Sequence, residues 1–368
     1  MVKMEPVRIL IENTTMNLGG AESLIMNIYR KIDRTQLQFD FILHCKEKSA
    51  FEDEIQSLGG KIYRFPSFKI INILSYRRAF RKFFKENREY RVIHGHAMNT
   101  ASIYLDEANK AGLHTIAHSH TTSNGKGPSA WIRDFFKRNL YKIAEYRFAC
   151  SEEAGKWLFR DKASFKVIRN GIISEKYVFN NQSRKIIRDE FHINESATVI
   201  GNVGNLLASK NQAFLIDIFS HYLKKNSNSY LLIVGSGSLK EALEEKAGKL
   251  GIRQNVIITG ARRDVNDLLN AMDFFVFPSI FEGLPVTLVE AQCNGLKCII
   301  SDTISDEVVL TDLVSKKSLE EGPEAWAENI LSIPAYERKD MSDAIKNSGF
   351  DITETAKQLQ KFYLGLNR

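Results

Sequence analysis

The stretch MDFFVFPSIFEGLPVTLVE, residues 272–290, opens on an apolar, aromatic-rich run that reads as a fully buried strand ending at Pro278 and Ser279. A short loop carrying Glu282 and Gly283 follows, and Pro285 is expected at the first helical position (N1), where its missing N–H costs nothing. Strand, tight loop and helix make half of a βαβ unit.

Similar units fill the chain. Short β-branched runs at 7–13, 40–45, 61–66, 91–96, 114–120, 146–151 and 166–172 alternate with helical patterns, and a second series follows at 198–204, 230–237, 255–260, 272–279 and 297–302. Strands separated by helices of this length imply right-handed crossovers and parallel sheets covered on both faces. About seven strands, then about five, predict an α/β protein of two Rossmann-like, doubly wound domains, with the polar stretch NGIISEKYVFNNQSRK (170–185) as the hinge. The expected domains are 1–173 and 174–351, with a last helix, about 352–368, returning to the first. In open α/β sheets ligands bind beyond the C-terminal strand ends, so two such sheets facing a cleft would hold the active site there.

At 368 residues and 43% hydrophobic, the chain is long enough for about two domains of ~100–200 residues. No run approaches the ~18 unbroken apolar residues of a membrane span, and the N-terminus enters a strand without a signal-peptide pattern. A cytoplasmic protein is expected. Cys45, Cys150, Cys293 and Cys298 show no C-x-x-C spacing and lie mostly among apolar residues, which suits buried reduced thiols rather than a metal site.

The net charge of +7 is unevenly placed: residues 1–180 hold 30 Lys and Arg against 19 Asp and Glu, and the remainder 21 against 25. A basic first half suits an anionic surface or acceptor. In SYRRAFRKFFKENREYR (75–91), Tyr76, Phe80, Phe83 and Phe84 form one helical face backed by cations, either a helix packed on its own sheet or a contact with anionic lipid. The run WIRDFFKRNLYK (131–142) offers the same choice. No reading motif for nucleic acid accompanies the charge.

Several strand ends carry unusual residues. In NLGGAES (17–23), Gly19 and Gly20 allow close approach of the backbone before a helix N-terminus, although a turn alone would use them too. AHSHTT (117–122) places His118 and His120 at a strand's C-terminal end, and HGH (94–96) is a weaker echo. GNVGNLLASKNQ (201–212) delivers Lys210, a point charge suited to phosphate. VGSGS (234–238) lacks the third glycine and the acidic residue of a dinucleotide fingerprint, so no NAD site is expected.

In FEGLPVTLVE the first-turn amides of Val286, Thr287 and Leu288 would face an anion, aided by the helix dipole. Glu282 precedes them, and Glu290 lies about 8 Å along the helix at ~1.5 Å per residue. Acceptor, anion cradle, acceptor matches the order in a nucleoside diphosphate sugar: sugar hydroxyls, diphosphate, ribose hydroxyls. A dipole partner and a solvated helix residue are the plainer readings of the two carboxylates.

NVIITGARRDVNDLLNAMDFFVFPSIFEGLPVTLVEAQCNGLKCIISD resembles the nucleotide-sugar site of the family-four retaining glycosyltransferases of GT-B fold. NLGGAES, IAHSHTT, VIRNGI and GNVGNLLASKNQ are similar to the same family in the expected order, so the resemblance covers almost the whole chain and points to its bacterial exopolysaccharide and capsule branch. It implies that Glu282, with the Gly283 and Leu284 amides, binds the donor hexose, Glu290 the ribose and Lys210 the diphosphate. It further implies that Gly19 and Gly20 approach the donor, and that His120, or less so His118, lies beside the sugar. Where the family carries an arginine this chain has Asn205, a loss that Lys210, Arg262 or Arg263 would have to offset.

The implied reaction is metal-independent hexosyl transfer with retention, from a UDP- or GDP-linked sugar to a saccharide or lipid-linked saccharide, with no cofactor. The missing D-x-D triplet agrees with that. A GT-B sugar-nucleotide epimerase and a non-catalytic nucleotide-sugar-binding subunit of a synthase complex are the alternatives.

Overall fold

The computed structural model describes residues 5–121, 134 and 136–367. The chain forms two compact units, Met1–Gly171 with Ile352–Arg368, and Ile172–Asp351.

The first unit is built on a seven-stranded sheet: β1 (Val7–Asn13), β2 (Leu37–Leu43), β3 (Ile62–Arg64), β4 (Val92–Gly95), β5 (His114–Ser119), β6 (Tyr146–Ala149) and β7 (Lys166–Val167), in the order β3-β2-β1-β4-β5-β6-β7. Every pairing is parallel, with Ile11 opposite His94 and His94 opposite Ile116. The second unit holds six strands: β8 (Thr198–Val203), β9 (Ser229–Val234), β10 (Val256–Ile258), β11 (Phe274–Phe277), β12 (Lys297–Ser301) and β13 (Val314–Lys317). Their order is β10-β9-β8-β11-β12-β13, again all parallel. Near-continuous burial along β1, β2, β8 and β12 is what a sheet covered on both faces requires.

In both sheets the chain reverses its direction of growth between the first strand and the fourth. The C-terminal ends of β1 and β4, and of β8 and β11, are therefore the switch points at which α/β sheets present ligand-binding loops.

Two expectations change. β13 reads VSKK, whose lysines mask an edge strand; only pairing with β12 reveals it, Cys298 opposite Val314. The segment taken as a hinge becomes helical from Asn181, because the Asn180 side chain caps it by accepting from Ser183 N. Arg184 and Arg188 then bind Asp273 and the Asn270 and Ala271 carbonyls that end the helix Val265–Ala271.

The helix Ile73–Glu86 settles the choice posed by its aromatic face. Tyr76, Phe80, Phe83 and Phe84 are buried and join one core cluster with Tyr90, Tyr104 and Leu105. Burying such a side chain contributes ~1.5–3 kcal/mol, against ~1 kcal/mol for a cation near an anionic surface. Packing wins. Of the second aromatic-basic run, Trp131, Arg133 and Phe135 lie outside the described residues, Phe136 packs on the same cluster, and Lys137 is buried with its ammonium 4.5 Å from the Trp157 ring centroid. All four cysteines are free thiols, and only Cys45 is not buried. Among the described residues no helix is long and apolar enough to cross a membrane.

Candidate active site

Lys210 ends a short 3-10 turn, Ala208–Lys210, in the loop after β8. Glu282 stands in the loop after β11, across the switch point. Their side chains meet: Lys210 Nζ lies 2.7 Å from both Glu282 carboxylate oxygens, with 20% and 11% of the two side chains exposed. The ammonium also sits 5.4 Å from the Phe277 ring centroid.

The backbone fixes both loops. Ile280 N donates to Ser209 O at 2.8 Å, and the Ser301 and Thr303 hydroxyls donate to Ser279 O. The glycines of VGSGS have a packing purpose here. Gly235 adopts φ +150°, and a Cβ there would fall 2.0 Å from Gly204 O, so only glycine lets the β9 end press on the Lys210 loop.

The helix after Glu282 spans Val286–Cys293. Pro285 is its N-cap rather than N1, because its ψ of 90° is still extended. Leu288 N donates to Pro285 O at 3.0 Å, so the Leu288 amide is committed within the turn. Val286 and Thr287 keep the orphan N–H groups that any helix leaves in its first turn. Leu284 packs against the core of this unit, which ties down the Glu282 loop, and Gly283 is half-buried beside it.

Glu290 lies further along the helix. Burial raises its carboxyl from 4.5 to about 7, opposed by a hydrogen bond of 2.7 Å that Tyr177 Oη donates to Oε1. A half-buried acid poised near neutrality, held by one neutral donor, can accept further donors at little reorganisation.

Asn205 is exposed, and its carbonyl accepts from Gln212 Nε2 and Leu207 N. Arg262 is already engaged: it binds Glu190 and Asp264 and lies 5.8 Å from the Phe191 ring centroid, and these two acids raise its pKa. Two carboxylates neutralise that guanidinium, so it is not a ready substitute for the arginine that Asn205 lacks.

In the first unit Gly19 is the extended N-cap of the helix Gly20–Lys31, and a Cβ on Gly20 would meet nothing within 4 Å. Asn13, ending β1, hydrogen-bonds Glu22 in that helix's first turn. His118 and His120 lie on one face of β5 and just beyond it, beside His94 and His96 of β4. His94 Nε2 is 3.2 Å from His118 Nδ1, and His96 Nδ1 is 2.7 Å from His120 Nε2. Burial lowers His94 to about 3 and His120 to about 4, and takes His96 and His118 well below the ordinary imidazole value. His118 is 0% exposed, stacked 4.2 Å from His120 and flanked by Phe148. It is therefore out of reach of a sugar, and His120 is the histidine of the pair nearer the surface.

Two partners escaped the sequence reading. Tyr177 falls in the stretch taken as a hinge, where nothing local couples it to a residue 113 positions away. Tyr363, in the last helix Ile352–Leu366, hydrogen-bonds His94 Nδ1 at 2.6 Å. An aromatic at helical spacing reads as core, and only the packing of that helix on the first sheet reveals the contact.

Residues 18–176 match the family described as Glycosyltransferase Family 4, and residues 183–349 match Glycosyl transferases group 1. EpsF of Bacillus subtilis, described as a glycosyltransferase, is 33% identical over 97% of this chain and 96% of its own. An Escherichia coli galactosyltransferase that uses UDP-Gal and a GlcNAc-diphosphoundecaprenol acceptor is 25% identical over 72% of each chain. Among solved structures, Anabaena HepE in complex with UDP-glucose superposes with a TM-score of 0.78 at 18% identity, over 97% of this chain and 99% of that one. The chain belongs to the family-four glycosyltransferases of GT-B fold, in their exopolysaccharide and capsule branch.

Proposed function

We propose that this glycosyltransferase moves a hexose from a nucleoside diphosphate sugar to a saccharide or lipid-linked saccharide, with retention and without a metal ion in the transfer step. The observation that carries the reading is the Lys210–Glu282 ion pair, set immediately before a helix whose first turn keeps free amides and whose interior holds Glu290.

A donor would divide that pair. Its diphosphate takes the Lys210 ammonium and the Val286 and Thr287 amides, which releases Glu282 to accept from hexose hydroxyls beside Gly283 and Leu284. Glu290 accepts from the ribose. As the glycosidic bond breaks, negative charge grows on the β-phosphate, and Lys210 with the amides stabilises it without reorganisation. The acceptor hydroxyl attacks from the face the leaving group vacates and passes its proton to the departing phosphate. The family pattern assigns Gly19, Gly20 and His120 to the donor as well. HepE holding UDP-glucose and the UDP-Gal-dependent relative support a uridine nucleotide as the donor carrier.

Thermal-shift screening against nucleotide sugars identifies the donor, since ligand at ~100 times its dissociation constant adds ~2.7 kcal/mol. The product's anomeric configuration and turnover in chelator then test retention and metal independence. Sugar conversion without acceptor would support the epimerase instead, and tight donor binding with no transfer the non-catalytic subunit.

The acceptor side is assigned to the basic first unit, with peripheral contact to anionic lipid. The aromatic face of Ile73–Glu86 is committed to the core, but Ile70, Ile71 and Leu74 at its start are 54%, 92% and 76% exposed, beside exposed Lys69 and Arg78. An exposed apolar tip with cations close by in sequence suits a lipid-linked, anionic acceptor. Vesicle sedimentation should show binding that needs anionic lipid, falls with salt and is lost in Ile71→Ser/Leu74→Ser. Indifference to lipid charge would remove the membrane from the reading.

A further inference from the structure

His94, His96 and His118 each bring a ring nitrogen within 4.8 Å of the others' at the C-terminal end of the first sheet, and all three are buried. The period of two along parallel strands produces this: His94 and His96 share a face of the β4 end, His118 and His120 share that face on β5, and the register sets them side by side. The plain account is a stack of neutral imidazoles inside the fold. That account gives the facing nitrogens His94 Nε2 and His118 Nδ1 at most one shared proton, whereas ring nitrogens gathered this closely from three enclosed side chains are a donor set for one cation.

We propose that His94, His96 and His118 bind one divalent late transition-metal ion of the zinc class, a site in the first unit that shares no ligand with Lys210, Glu282 or Glu290. The outer nitrogens are arranged as in metal centres, where a ligating imidazole is held through its other nitrogen. Tyr363 Oη holds His94 Nδ1 and His120 holds His96 Nδ1, which leaves Nε2 of both rings for the ion. His94 Nε2 and His118 Nδ1 face each other at 3.2 Å, close to the about 3.3 Å between two nitrogens on a tetrahedral ion with bonds of ~2.0 Å. One proton can serve that pair, whereas an ion serves both nitrogens and the third as well. His118 gives up its hydrogen bond to His94 and offers a lone pair in its place. No carboxylate is hydrogen-bonded to these rings among the described residues, so the donor set is three neutral imidazoles, which favours zinc, nickel or copper over magnesium or calcium. The fourth position stays open to water.

The ion also sets a tautomer. Coordination through His96 Nε2 places the proton on Nδ1, which donates to His120 Nε2 and obliges His120 to carry its own proton on Nδ1. No step of the proposed transfer passes through the metal, so failure of this inference would leave that reading untouched.

The test uses the full chain without a polyhistidine tag, stripped with chelator. Cobalt(II) should give a visible d–d band that saturates at one ion per chain, and zinc(II) should bleach it. X-ray absorption of the zinc-loaded chain should show imidazole nitrogens at about 2.0 Å and no sulfur shell. His96→Gln and His118→Gln should each abolish the band, Tyr363→Phe should weaken binding by about tenfold to a hundredfold, and His114→Gln, whose ring pairs with Glu145 near the surface, should change nothing. Absence of a band in the unmutated chain, a sulfur shell, or a band that survives both glutamine variants would overturn the site. The measurements on the unmutated chain decide the matter even if a variant fails to fold.

Discussion

The β1/β4 end of the first sheet and the β8/β11 end of the second are the same place in two sheets of equivalent strand order, yet they are furnished in opposite ways. At β8/β11 stand a lysine and a glutamate in contact, free amides and a carboxyl poised near 7. At β1/β4 and the neighbouring β5 stand two glycines and four histidines whose burial keeps them neutral. One end presents charged side chains and the other neutral ones. Topology thus decides where a site forms, and the side chains at the strand ends decide what it does.

The contrast breaks most visibly at Lys210. If Lys210 stabilises the leaving diphosphate, Lys210→Ala should lower turnover by roughly 10²–10³-fold, as loss of one preorganised charge partner does elsewhere. It also leaves Glu282, only 11% exposed, without its partner. The double variant Lys210→Ala/Glu282→Ala therefore separates lost catalysis from a stranded carboxylate. A decline of less than tenfold in turnover would move the leaving-group role to another residue.

Glu290 gives the next largest effect, and its sign can be worked out. Its carboxyl titrates at about 7 in the folded chain against an ordinary 4.5. The folded state therefore holds a proton that the unfolded chain has released, and stability falls as pH rises from about 4.5 to about 7, then levels. Glu290→Gln keeps the acceptor for Tyr177 Oη and removes the titration. Its advantage over the parent should grow across that window to at most about 3 kcal/mol, read from melting curves at several pH values. Ribose hydroxyls favour the charged carboxylate, so binding of the bare nucleoside diphosphate should weaken below about pH 7 and release a proton detectable by calorimetry in different buffers. Glu290→Ala should impair binding of the bare nucleotide, whereas Glu282→Ala should spare it and lose only the preference for the sugar-bearing form. Equal losses in both would end the assignment of the two carboxylates to opposite ends of the donor.

Much of the fold was legible because it rests on local pattern. β1 was bounded correctly by its apolar run, and the buried face of Ile73–Glu86 follows from 3.6-residue spacing. What escaped depends on distant partners. β13 is a strand because β12 needs a neighbour, Tyr177 matters because the helix Val286–Cys293 brings Glu290 to it, and Tyr363 matters because the last helix packs on the first sheet. The candidate site shows the same division. Glu282, Lys210 and Glu290 could be picked out by type and spacing, but the ion pair that joins the first two required the switch point. That Arg262 is already engaged depends on contacts no spacing rule contains, with Glu190 lying 72 residues away.

Asn205 offers the smallest and sharpest probe. Its side chain is exposed in the Lys210 loop, whose backbone is held by Gln212 and by the β9 glycines, so a longer side chain can be accepted without moving the loop. Arg262 is neutralised by Glu190 and Asp264, which leaves Lys210 as the cation placed beside Glu282. Asn205→Arg should add a planar donor near the proposed diphosphate, and nucleotide affinity or turnover should rise about tenfold, the ~1.4 kcal/mol expected of one added charge-assisted hydrogen bond. Binding measured against ionic strength distinguishes a true contact from general attraction, because a desolvated contact persists in salt while surface charge is screened. If Asn205→Arg instead abolishes donor binding, the space beside Lys210 is already used by the donor itself, and the charged end of the comparison is complete without an arginine.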